Sequence, residues 1–331
     1  MTCVSTFTVE EDEAGLRLDR WFRRRYPGLT HGRLEKLLRT GQIRLDGGRV
    51  KGATRLEAGQ IVRVPPLEGS DRDRKSRRPS VKAEDAEFIR SLVIHRDDHV
   101  IALNKPPGLA VQGGSKVTRH VDGMLDALKF KASERPRLVH RLDKDTGGLL
   151  LLARSARAAS SLAEAFRGRD AEKTYWALVS GAPSPKEGRI DLALSKGSDA
   201  GRERMLAGLD DGRRAVTDFA VVDSAGSRVA WLVLKPRSGR THQLRVHCAV
   251  IGTPIVGDRK YGDENSRIDG LPGRNLLNLH ARGLRIPHPA GGTLSLKASL
   301  SADMMKNWSF FGFDTDNPEA ERLSEMLGDG R

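Results

Sequence analysis

The sequence predicts an α+β protein: a larger domain built on a mixed, mostly antiparallel sheet, preceded by a small basic module of helices and short strands. Three observations carry this. Apolar runs of strand length cluster between about Phe88 and Phe313 with only occasional helical segments, instead of alternating strictly with them. The first 66 residues hold two short amphipathic helical patterns followed by alternating strand patterns. Between them, SDRDRKSRRPSVKAED is charged, proline-punctuated and nearly free of apolar residues. The expected boundaries are a module at 14–66, a linker at 67–87, the main domain at 88–313, and a polar tail at 314–331, either a surface helix or loose.

In the module, Leu18, Trp21 and Phe22 fall at i, i+3 and i+4 of a helix over Arg17 to Tyr26, which Pro27-Gly28 stops. Thr30 caps a second helix whose Leu34, Leu37 and Leu38 form an apolar stripe, and Gly41 ends it. Ile43 to Val50 alternates about Asp46-Gly47-Gly48, a hairpin signal. A last strand, Gln60 to Val64, stops at Pro65-Pro66.

The main domain reads as strands at Val100 to Leu103, Leu149 to Ala153, Tyr175 to Val179, Val216 to Val222, Val229 to Leu234 and Thr293 to Leu300. Asn104 to Gly108 is a rigid turn, and Ser155 caps a helix that presents Ala159, Leu162 and Phe166 and closes at Gly168.

The chain of 331 residues has a formal net charge of +14. Charge of that sign and size points to a polyanionic partner, most often nucleic acid. It is concentrated: from Leu16 to Val64 there are thirteen Lys or Arg against four Asp or Glu. No apolar run reaches the length of a membrane span, and MTCVSTFTVEEDEAG lacks the order of a signal peptide. Two cysteines, Cys3 and Cys248, make neither a disulfide framework nor a zinc cage. A reducing, cytoplasmic setting is expected.

Nucleotide signatures are missing: no G-x-G-x-x-G lies between a strand and a helix, and Gly108 to Lys116 lacks the Gly-Lys-Ser/Thr ending of a P-loop. Neither a cofactor nor a metal is expected. His242 and His247 are five apart, about 140° around a helix, and are poorly placed as a metal pair.

The sequence concentrates its chemistry in HRLDKDTGGLLLLARS, His140 to Ser155, where acids and bases crowd a turn ahead of a buried strand. Composition alone allows an ordinary turn. A calcium loop would need a Glu where Arg154 stands. A D-x-D phosphatase would place the first Asp after an apolar strand, whereas here the strand follows.

This stretch resembles the signature of the RluA family of pseudouridine synthases. So do LNKPPGLAVQGG from Leu103, KTYWALVSG from Lys173, SGRTHQLRVHCAVIGTPIVGDRKYG from Ser238 and LNLHARGLRIPHP from Leu277, all in family order. The leading module, with its LEAGQIVRVP ending, resembles the S4 RNA-binding domain, and the layout is most similar to the RluC-like branch, which modifies large-subunit ribosomal RNA. One departure is Gly147, where the family usually has Ser.

The resemblance implies a pseudouridine-synthase fold and isomerisation of uridine in RNA without a cofactor. It makes Asp143 the catalytic carboxylate, acting as a nucleophile at C1′ or C6 or as a base toward C2′. Arg245 would be the partner that keeps this acid ionised against desolvation, and Tyr175 would lie against the target uracil. Arg141 would enter the RNA stack as the target leaves, with His140 contacting RNA or orienting the loop. Arg33, Lys36, Arg39, Arg44, Arg49 and Lys51 would contact RNA from the module. The expected partner is large-subunit ribosomal RNA or an assembly intermediate, with a monomer as the default. The rival reading is a non-catalytic RNA-binding or ribosome-assembly protein.

Overall fold

The chain divides into two units, 1–80 and 81–331. The computed structural model describes residues 4–26, 29–67, 81–114, 117–168, 170–199, 202–208, 211–273 and 276–329. The expected Pro27-Gly28 helix stop, Cys3 and most of the expected linker lie outside them. Among the described residues, no helix is long and apolar enough to cross a membrane.

The first unit contains β1 (Ser5–Thr8), α1 (Leu18–Arg25), α2 (His31–Arg39), β2 (Arg44–Leu45), β3 (Gly48–Arg49) and β4 (Ile61–Val64). Its sheet runs β1-β4-β2-β3. The helical stripe read from the sequence is the core: Leu18, Trp21, Phe22, Leu34 and Leu38 are buried with Val62 and Val64. The Thr30 side chain accepts from the Arg33 amide, which caps α2. In the β2–β3 turn Asp46 (φ 49°) and Gly47 (φ 80°) both adopt positive φ, as a two-residue hairpin turn requires. The unit begins earlier than residue 14, because β1 pairs antiparallel with β4.

The second unit is a single eleven-stranded sheet with helices against its faces. In chain order it comprises α3 (Ala83–Ser91), β5 (Val93–Arg96), β6 (Val100–Lys105), α4 (Val121–Met124), β7 (Arg137–Leu138), β8 (Gly147–Ala153), α5 (Ala156–Gly168), β9 (Glu172–Ser180), β10 (Glu187–Asp199), β11 (Arg202–Ala207), β12 (Arg213–Ala225), β13 (Val229–Pro236), α6 (Gln243–Val250), β14 (Leu279–Pro287), β15 (Thr293–Lys297), α7 (Ala302–Phe310) and α8 (Pro318–Asp329). The strand order is β11-β10-β12-β13-β9-β14-β8-β6-β5, with β15 beside β14 and β7 beside β8. Its strands pair antiparallel except β14 with β8, so the α+β reading holds.

Several boundaries in the second unit bear comparison with the sequence reading. Helix α3 begins inside the expected linker, because Ile89 has an apolar core to enter. The expected polar tail takes its helical alternative as α8, whose Ala320 and Leu323 are buried as it packs against β12 and β13. The strand expected from Thr293 stops at Lys297, three residues early.

The parallel contact fixes the geometry of the site. Gly148 has φ 105°, and a Cβ there would lie 2.3 Å from the Ala281 carbonyl oxygen. Only glycine lets β14 approach so closely. One lateral row then crosses the sheet through Lys105, Gly148, Ala281, Tyr175 and Leu234.

Candidate active site

The segment from Val139 to Thr146 links β7 to β8 and is tied at both ends. At its exit the Lys105 side chain is fully buried, and its Nζ donates to the carbonyls of Pro106 (3.0 Å), Leu109 (2.9 Å) and Lys144 (3.0 Å). Three N–H donors thus meet three backbone acceptors. The Gly108 amide also donates to the Lys144 carbonyl, at 2.9 Å. Burial pulls the Lys105 pKa down to about 7, with Asp145 and Asp143 opposing the shift, while the three carbonyls favour the ammonium form. At the entry, His140 Nε2 accepts from the Leu151 amide at 2.8 Å, and its ring stacks on Phe166 with centroids 4.6 Å apart.

That placement suits the second role expected of His140, orienting the loop. Burial pushes its pKa to about 3, so the ring is neutral, and Nε2 is occupied by the backbone. His140 anchors the loop. Arg141, next to it, is exposed, and among the described residues no carboxylate pairs with it.

Asp143 is held between these ties, its side chain 24% exposed, with Oδ2 3.9 Å from His242 Nε2. Tyr175 stands on the neighbouring β9 in the row described above. Burial raises the pKa of its phenol and the Asp143 charge raises it further, so the ring stays protonated and presents an apolar face.

Arg245 has a hydrogen-bonded partner that the sequence did not indicate. It is 6% exposed and donates from Nε to Asp258 Oδ2 at 2.7 Å and from Nη2 to Asp258 Oδ1 at 2.6 Å. The turn after α6 brings Asp258 to the guanidinium fork for this bidentate bridge, and Asp143 lies close enough for its charge to act on Arg245 as well. Asp258 Oδ1 also accepts the backbone N–H groups of Lys260 (2.8 Å) and Tyr261 (3.0 Å). Burial alone would raise the Asp258 pKa, but Arg245 and these two amides outweigh it and hold the carboxylate below its usual range. For Arg245, burial opposes the charge and the Asp258 bonds more than restore it; the Asp143 charge adds to them.

Two histidines separate in role. His247 is buried, with Nδ1 2.9 Å from Thr217 Oγ1, and burial lowers its pKa to about 4. His242 lies ahead of α6 rather than within it, so the helical spacing of the pair does not apply.

The sequence reading passed over Lys105, His242, Asp258 and Tyr261 as working residues. Lys105 lay in a segment read as a rigid turn; a lysine closing an apolar strand was the available signal. Asp258 and Tyr261 lay in GDRKYG, where polar residues in a turn are unremarkable until the fold brings them to α6. Lys173, two residues before Tyr175 on β9, is also drawn in: its Nζ reaches the Ser238 carbonyl at 3.4 Å, and burial lowers its pKa to about 8.

Lys105→Met, which keeps length but removes the donors, is expected to cost about 3 kcal/mol by stranding buried carbonyls. Urea denaturation measures this, and an unchanged midpoint would show that Lys105 is not the tie.

A carboxylate on a rigid loop, a protonated tyrosine beside it and a basic rim suit attack on, or proton removal from, a flat neutral ring. Comparison with known proteins agrees. Residues 99–250 match the family model described as RNA pseudouridylate synthase. The chain is 35% identical over 295 residues to ribosomal large subunit pseudouridine synthase C of Escherichia coli strain K12, covering 87% of this chain and 90% of that one. It is also 35% identical over 309 residues to the protein of the same name from Pasteurella multocida, covering 92% of each. Among solved structures, human RNA pseudouridylate synthase domain containing 4 superposes with a TM-score of 0.60 at 29% identity, over 71% of this chain and 99% of that one. The chain belongs to the RNA pseudouridylate synthase family and is an RNA-modifying isomerase.

Proposed function

We propose that this protein isomerises specific uridines of large-subunit ribosomal RNA to pseudouridine, in the cytoplasm, with Asp143 as the catalytic carboxylate. The observation that carries the reading is the position of Asp143: on a loop tied by Lys105 and His140, beside the desolvated Tyr175. The names of the relatives from Escherichia coli and Pasteurella multocida support the choice of RNA.

Pseudouridine formation breaks the N1–C1′ bond of uridine, turns the uracil and joins it through C5, where a proton leaves. Asp143 serves this by attack at C1′ or C6, or by taking a proton from C2′. Tyr175 packs against the uracil. Extruding a nucleotide costs a few kcal/mol, and the free, exposed guanidinium of Arg141 offsets part of it by stacking and phosphate contact. Release of tritium from rRNA labelled at uridine C5 tests the activity; tight binding without release would favour the non-catalytic RNA-binding reading.

The first unit supplies the docking charge in this reading. Arg63, Arg44 and Arg49 are direct cross-strand neighbours along one row of its sheet. Like charges so placed repel each other, and a phosphate backbone relieves them. Arg33, Lys36 and Arg39 are exposed on α2, and Lys51 is exposed just beyond β3. Replacing Arg44 and Arg49 together by Gln is expected to reduce the salt slope of RNA binding by about 2, roughly one per phosphate contact. An unchanged slope in a filter-binding titration would remove this face from the docking surface.

A further inference from the structure

The proposed mechanism does not use His242, yet the chain goes to some length to hold it. It takes a left-handed conformation (φ 53°, ψ 18°) immediately before α6, which non-glycine residues rarely adopt outside special sites. Its Nδ1 lies 2.7 Å from Tyr261 Oη, and its Nε2 lies 3.9 Å from Asp143 Oδ2. Tyr261 Oη in turn accepts the Met205 amide of β11 at 3.1 Å. Arg204, the neighbour of Met205, lies 5.2 Å over the Tyr261 ring and donates to the Lys260 carbonyl.

Together with the nearby Asp143, these contacts favour one arrangement of the protons. With one Tyr261 lone pair taken by the Met205 N–H, the phenol O–H is free to donate to His242 Nδ1. The neutral imidazole then carries its proton on Nε2, the atom that faces Asp143. The opposite tautomer would set a bare nitrogen lone pair against a carboxylate. Burial keeps the ring neutral against the pull of Asp143, with Arg245 and Lys260 acting in the same sense as burial and Asp258 against it.

We propose that His242 is a positioning residue: its Nε2–H orients the Asp143 carboxylate, and Tyr261, held by β11, fixes the tautomer that makes this possible. The 3.9 Å separation is longer than a hydrogen bond; contacts of this kind tighten when substrate fills a site. The β10–β11 hairpin thereby becomes part of the active site, since its backbone holds the far end of the relay. This inference rests on the reading of Asp143 as the catalytic carboxylate.

The test compares His242→Asn, His242→Gln and Tyr261→Phe in the full chain by tritium release from C5-labelled rRNA, with kcat and KM separated and folding checked by thermal melting. Asn tolerates the left-handed backbone better than Gln, but only Gln is long enough to place an N–H donor where Nε2 stands. A donor role predicts that kcat falls by about tenfold or more in Asn, the value of a hydrogen bond to a charged group, and is largely retained in Gln. It also predicts that Tyr261→Phe lowers kcat while KM for RNA is unchanged. Asn equalling or exceeding Gln, or a Tyr261→Phe loss confined to KM, would overturn the proposal, because backbone fit or RNA contact would then explain the residues. Asp143→Asn runs alongside: release by that variant would sink the Asp143 reading itself, and this inference with it.

Discussion

Asp143→Asn is expected to lower tritium release from C5-labelled rRNA by at least ~10³-fold while RNA affinity stays as in the wild type. The amide keeps the size and the loop contacts of the carboxylate. The ties that hold the loop run through the Lys144 carbonyl and the His140 ring, and none uses the Asp143 side chain. The loop should therefore keep its shape, and the basic residues of the first unit are unaltered. Loss of release with binding intact separates the isomerase from the RNA-binding protein that the same charge distribution could serve. Release at the wild-type rate would show that another group does the chemistry.

Arg245→Met is expected to destabilise the second unit by about 3–5 kcal/mol, the cost of stranding one member of a buried ion pair. The Asp258 side chain is fully buried and its carboxylate would keep only two backbone amides. The pH dependence follows from the Asp258 shift. In the wild type its folded pKa lies below the ordinary carboxylate value, so its contribution is fully present above that value and is lost as pH falls through the lower, folded one. In the variant, burial is unopposed by Arg245 and raises the pKa, so Asp258 takes up its proton on folding. The stability gap between the two proteins should narrow as pH falls, beginning at the variant's raised Asp258 pKa and ending only below the wild type's lowered one. Urea denaturation across that range measures it; a gap independent of pH would mean that packing, not the ion pair, was lost. A second change of Asp258 to Leu should recover part of the loss, since a buried pair can be exchanged for apolar packing.

The parts of this protein that repeat a period were legible without coordinates. Leu18, Trp21 and Phe22 announce α1, Leu149 to Ala153 announce β8, and Ser155 caps α5, its Oγ accepting the Ala158 amide at 3.1 Å. The β10–β11 hairpin was not legible, because SKGSDAGRERM is polar and glycine-broken and its pairing is settled by β12 on one side. Strand β14 was hidden in LHARGLRIP, where arginines and a glycine interrupt the alternation. In the site, the motif containing Asp143 stood out because acids and bases gather at a strand mouth. The partner of Arg245 did not, since thirteen residues separate it from Asp258 and only the turn after α6 brings them together. The left-handed backbone at His242 has no sequence signal comparable to a glycine.

Conversion of uridine to pseudouridine in large-subunit ribosomal RNA leaves a product whose positions can be mapped. Unmodified large-subunit rRNA is incubated with the purified full-length protein and probed with a carbodiimide that stops reverse transcription at pseudouridine. New stops at a small, fixed set of uridines, absent with Asp143→Asn, are the predicted result. Stable RNA binding with no new stop at any uridine of free or ribosome-bound rRNA would contradict it.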